Sequence, residues 1–128
     1  EAREQCTVAI PLTKTVLRAA YEYLSATPPF NRWNLPDGEE VRFTVTRDKS
    51  LLMGFYRCHI GGGKQTQHEI AISCGHVGHT ATLMVLMAHE MLHLHQHQTS
   101  MRQSHGRAFR LLWREIALIH GFDPLATF

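Results

Sequence analysis

The spacing of apolar residues changes period along the chain, and each change predicts a new element. Between residues 8 and 26, Leu12, Val16, Leu17, Ala20, Tyr21 and Leu24 recur at intervals that mark one face of a helix, with Pro11 near its start. Thr27-Pro28-Pro29 ends it. Phe30 to Glu40 has no period and holds Pro36, Asp37 and Gly38, so it reads as a loop packed down by Phe30 and Trp33. From Val41 the period becomes two. Val41, Phe43 and Val45 alternate with Arg42, Thr44 and Thr46, a strand with one buried face. Asp48-Lys49-Ser50 predicts a turn, Leu51 to Cys58 a second strand broken by Gly54, and Gly61-Gly62-Gly63 a connection to a third strand at Gln67 to Cys74. Three strands in succession imply an antiparallel meander.

Residues 79 to 97 predict one long helix whose apolar side chains, among them Leu83, Leu86, Met87, Met91, Leu92 and Leu94, surround nearly the whole axis. A helix apolar on all sides is a buried one. The last helix is predicted to start at Ser104, a good N-cap, and to run to His120 before Gly121 and Pro124. Its inward stripe is Phe109, Leu112, Trp113, Ile116 and Ile119. At about 100° per residue His105 falls within that stripe, while Arg107, Arg110 and Arg114 fall on the far side.

The buried helix carries His89-Glu90-Met91-Leu92-His93. Residues four apart on a helix lie one turn apart and about 40° around the axis, so both imidazoles reach a single ion. Zinc takes neutral imidazole nitrogens, keeps a position open for water and lowers the pKa of that water to about 7. Glu90, standing beside the pair, is then placed to take a proton as general base. With 10 histidines and 8 glutamates in the chain, this spacing arises by chance in roughly one such sequence in twenty, so a third ligand must support it.

Four residues or patterns compete for that place. The metzincin pattern needs a glycine and a histidine where this chain has Gln96 and Thr99. Glu115 lies about 100° from the centre of its helix's apolar stripe and is expected to face solvent. His97 continues the spacing of His89 and His93, but the outer rings of such a trio stand roughly 12 Å apart along the axis. His105 remains. The segment from Gln98 to Ser104 spans up to roughly 23 Å, enough to fold the next helix back beside the site. A capping or core histidine is the alternative reading of His105.

Composition sharpens this picture. The 128 residues are one domain by length, with 44% hydrophobic content. A formal net charge of +2 gives no case for a nucleic-acid binder by itself. Neutral histidines add no charge, so their excess points to metal chemistry or a histidine-rich surface. Cys6, Cys58 and Cys74 are too few and odd in number for a disulfide framework. They favour a reducing compartment, and a cytoplasmic location is expected. No apolar run is long enough to span a membrane and no signal peptide is visible, although Glu1 in place of a methionine leaves room for a trimmed leader.

Weaker constellations have plainer readings. Cys58-His59 and Cys74, His76 and His79 have spacings suited to a second metal, but the expected register sets Cys58 opposite about Gln67 rather than near Cys74, which favours buried thiols and loop histidines. His95 and His97 read as a polar helix end or as partners of a ligand ring. Arg107, Arg110 and Arg114, with Arg102 nearby, read as a solvated face or as a track for nucleic-acid phosphates. Tyr56, Arg57 and His79 are candidates for stabilising an oxyanion, and the third strand, as a sheet edge, for pairing with an extended substrate.

With these residues in view the chain resembles the SprT-like family of zinc metalloproteases, which includes the Spartan proteases that digest proteins crosslinked to DNA. The resemblance rests on His89-Glu90-Met91-Leu92-His93, on His105-Gly106-Arg107-Ala108-Phe109 and on Ile70-Ala71-Ile72-Ser73, which resembles the strand before the family's active-site helix. It implies an α+β, zincin-like fold with three main helices, a small antiparallel sheet and the motif on the central helix. It implies zinc on His89, His93 and His105, Glu90 as general base, and a protein or peptide substrate; DNA as a partner is the weaker implication, because the family's crosslink-repair members depend on added DNA-binding segments that this chain is not expected to carry. The expected unit is a single domain over 1–128 without the C-terminal zinc ribbon of many bacterial members. The rivals are a zinc-stabilised module that binds DNA or protein without cleavage, marked by a fourth protein ligand, and a hydrolase of other bonds, marked by a deep pocket.

Overall fold

A computed structural model describes residues 12–46, 54–60, 66–73, 80–100 and 104–125. The first helix, α1 (Lys14–Ser25), opens where Thr13 Oγ1 accepts a hydrogen bond from the Val16 amide at 3.2 Å. It buries Leu17, Ala20, Tyr21 and Leu24, the face its period predicts. Two short 3-10 turns, Phe30–Arg32 and Gly38–Glu40, follow in the segment expected to be loop. That segment is held down by Tyr21, whose hydroxyl donates to the Pro36 carbonyl at 2.6 Å, and by buried Phe30, edge-on to Trp33 at 5.2 Å.

Three strands follow: β1 (Val41–Thr46), β2 (Gly54–Ile60) and β3 (Thr66–Ser73). The sheet is mixed, in the order β1-β3-β2, with β3 parallel to β1 and antiparallel to β2. The expected antiparallel meander is therefore corrected. The reason lies in composition: Ile70, Ala71, Ile72 and Ser73 are fully buried, so β3 has covered faces on both sides and takes the centre, while the alternating β1 and the half-exposed β2 take the edges. As the central strand, β3 has its backbone groups paired on both sides and is not an edge for substrate. Cys58 pairs with His68, one residue from the expected partner, and His59 takes Gln67. The predicted turn at 48–50 and the glycine run at 61–63 lie outside the described residues.

The helix α2 (Thr80–Gln98) packs on α1, β2 and β3 and on the last helix. Its buried residues run from Leu83 through Met87, Met91 and Leu94 and include three polar ones, His89, Glu90 and Gln96. The last helix, α3 (Arg107–His120), has Gly106 rather than Ser104 as its N-cap, so His105 stands in the turn before the helix and not on its wheel. Its buried stripe is Phe109, Trp113, Ile116 and Ala117, with Leu112 packed against it, whereas Ile119 is 45% exposed. The shift comes from the helix end. Gly121 adopts a left-handed φ of 79°, the chain turns back, and Phe122 stacks on Trp113 at 5.9 Å, which covers the Ala117 side. The molecule is thus α+β, with three helices and a small mixed sheet around one buried cluster.

Candidate metal centre

Three imidazoles from two places in the chain meet between α2 and the turn before α3. His89 and His93 are separated by one helical turn, and their Nε2 atoms stand 3.1 Å apart. The Nε2 of His105 lies 3.2 Å from that of His93 and 3.4 Å from that of His89. Three such nitrogens cannot satisfy one another. A ring nitrogen with a proton only donates and one without only accepts, so in a triangle at least one pair is mismatched. An ion with tetrahedral angles and bonds of about 2.0–2.1 Å to nitrogen needs donor separations of about 3.3 Å, which this triangle matches. Among the described residues, these three side chains form the group able to hold a metal ion.

The surroundings favour neutral rings. Burial, reinforced by His93 and His105 nearby, pushes the pKa of His89 down to about 3. Burial also lowers that of His93, against a hydrogen bond to Gln96 that acts the other way. Gln96, buried at the next turn, places its Oε1 2.7 Å from His93 Nδ1. Accepting there fixes the proton on Nδ1 and leaves the Nε2 lone pair facing the other two rings. Phe109 is the common wall: its ring stacks on His93 at 4.9 Å and meets His89 and His105 edge-on at 5.2 and 4.9 Å.

Glu90 is outside this trio. It is buried, its Oε1 has no hydrogen-bond partner among the described residues, and desolvation raises its pKa to about 8. Its Oε2 lies over β2, where a Cβ added to Gly54 would come within 3.4 Å of it. Glycine at this point lets helix and sheet approach closely around the carboxyl group.

The other candidates fall elsewhere. Glu115 binds Arg32 at 3.2 Å. The exposed His97 lies against Tyr56 and His68, with ring centroids about 6 Å apart. His95 stacks on Trp33 at 3.9 Å with the planes 10° apart, so the tryptophan serves the core and supports α2. The Tyr56 hydroxyl is 2.7 Å from His68 Nδ1, and Arg57 lies over the Phe55 ring at 4.3 Å. Cys58 is a free thiol, while Cys6, Cys74, His76, His79 and Arg102 lie outside the described residues. A cavity of about 460 Å³ between α1 and the segment after it contains none of the three histidines. Sequence reasoning missed Gln96, whose signal is an amide three residues after His93, the spacing at which helical side chains meet. No helix among the described residues is long and apolar enough to cross a membrane. No family model, curated protein or solved structure matches the chain.

Proposed function

We propose that this chain is a zinc-dependent metallopeptidase of the SprT-like, zincin type, acting on protein substrates in a reducing, cytoplasmic compartment. The observation that carries the reading is the convergence of three Nε2 atoms within 3.1–3.4 Å, supplied by an HExxH helix and a downstream histidine. His89, His93 and His105 would hold the ion, and with no fourth protein ligand grouped with them among the described residues the fourth position would be open, as catalytic rather than structural sites require. When bound, zinc supplies Lewis acidity, polarising a carbonyl and acidifying water.

The protein's own groups do the rest. Gln96 keeps His93 in the ligating tautomer, and Phe109 holds the three rings in place. Glu90, kept dry between α2 and Gly54, is the group that takes a proton from the attacking water and passes it to the leaving amine. Its high pKa belongs to the metal-free state, and a neighbouring cation favours its ionised form.

The test is Glu90→Gln. Zinc content should stay near that of the wild type while cleavage of an unfolded protein substrate falls by about 10²–10⁴-fold. Cleavage surviving that change overturns the role of Glu90. Full zinc content without cleavage in the wild type supports instead the zinc-stabilised binding module. Adding DNA to the same assay decides whether the crosslink-repair analogy extends to this chain: a faster rate supports it and an unchanged rate removes it.

A further inference from the structure

We infer that the outward face of α3 is a docking seam for an acidic amphipathic helix of a partner protein. Leu111 and Leu118 are 52% and 74% exposed, and both point within about 30° of the direction opposite the buried stripe. Isolated surface leucines need no explanation. These two lie on one line with exposed Arg107 and Arg114, in the order Arg107, Leu111, Arg114, Leu118, and exposed Arg110 flanks them.

That order alternates steps of four and three, the spacing at which a second helix packs along a first. The leucines offer knobs about 10.5 Å apart, two turns along the axis. The arginines set the charge of the occupant. No carboxylate pairs with Arg107, Arg110 or Arg114 among the described residues, and Glu115, the acidic neighbour on α3, is held by Arg32. A partner helix with apolar residues against Leu111 and Leu118 and carboxylates against the arginines covers the face and satisfies its charge.

A nucleic-acid backbone fits less well, because it would set phosphates against the two leucines at the crown of the face. A membrane surface needs a wider apolar face than two leucines provide. The seam begins two residues after His105 and runs along the side of α3 opposite Phe109.

The test uses the whole chain and a fluorescein-labelled helical peptide of about 18 residues, with leucine and glutamate repeating at the same spacing, read by fluorescence anisotropy. Saturable binding at micromolar concentration is expected. It should weaken at least about tenfold with Leu111→Gln plus Leu118→Gln, and similarly with Arg107→Glu plus Arg114→Glu. A peptide with lysine in place of glutamate should bind the second variant better than it binds the wild type. All four positions are exposed, so equal melting temperatures are expected and are checked alongside. Absence of peptide binding overturns the inference, as does binding indifferent to the leucines. A single-stranded oligonucleotide or anionic vesicle that binds the wild type more tightly than the peptide, and loses that binding on the arginine changes alone, also overturns it.

Discussion

Glu90 is 4% exposed and keeps a carboxyl oxygen without a partner among the described residues, so its charge and the stability of the metal-free fold are linked. Its carboxyl is raised from 4.5 to about 8 by burial. Between those values the folded chain keeps a proton that the unfolded chain has lost, so stability falls as pH rises through this window. Urea unfolding of metal-stripped protein from pH 5 to 9 should show that fall, and Glu90→Gln should remove most of it. The variant should gain stability over the wild type at the alkaline end, by roughly 3–5 kcal/mol. Parallel curves would mean that Glu90 is not buried and neutral. His89 acts oppositely: with its pKa lowered from 6.5 to about 3 by burial, it contributes stability that is lost as pH falls through that range. Gln96 is tested by metal affinity. Gln96→Ala should weaken zinc binding about 10–100-fold in chelator competition, since the acceptor that fixes the His93 tautomer is lost, and its unfolding midpoint is measured alongside. The five-residue spacing around Glu90 and the downstream His105 were legible in the sequence. The Gln96 contact was not, because helical phase gives the direction of a side chain but not which atom it meets.

At the scale of elements, closeness between α2 and the sheet depends on Gly54. A Cβ there would stand 2.7 Å from the Ala71 carbonyl oxygen and 3.1 Å from Ile72 Cδ1. Gly54→Ala should therefore destabilise the fold by about 1–3 kcal/mol, read from the denaturation midpoint, and lower activity with it. On α3, Ile116→Ala should cost about 2–5 kcal/mol. Ile119→Gln should stay within about 0.5 kcal/mol, because that side chain is 45% exposed. Local signals located the three described strands and the three α-helices: a period marked α1, β1 and α3, turn and glycine signals bounded β2 and β3, and an apolar run marked α2, whereas the 3-10 helices Phe30–Arg32 and Gly38–Glu40 left no such mark. Strand order is not local: the continuous run Ile70-Ala71-Ile72 in β3, beside the strict alternation of β1, was the available sign that β3 belongs at the centre. The start of α3 was misplaced for a related reason. Ser104 and Gly106 both suit an N-cap, and the use of Gly106 releases His105 from the helix and turns its ring toward α2.

For the whole molecule, the three histidines that could hold an ion join α2 to the turn before α3, so an ion bound there would oppose their separation. Zinc at about a thousand times its dissociation constant adds about 4 kcal/mol. Stripping the metal should therefore lower the melting temperature by roughly 10 °C or more. The central claim is that three imidazoles, with His105 as the third, hold one ion. Its most direct test is a zinc titration of metal-stripped protein against a chromophoric chelator, wild type beside His105→Ala. One ion per chain is predicted for the wild type, with affinity at least about a hundredfold weaker in the variant, since losing a ligand costs no less than the roughly 10–100-fold lost with an outer partner. Equal affinity in the two proteins, or no zinc taken up by either, would contradict it.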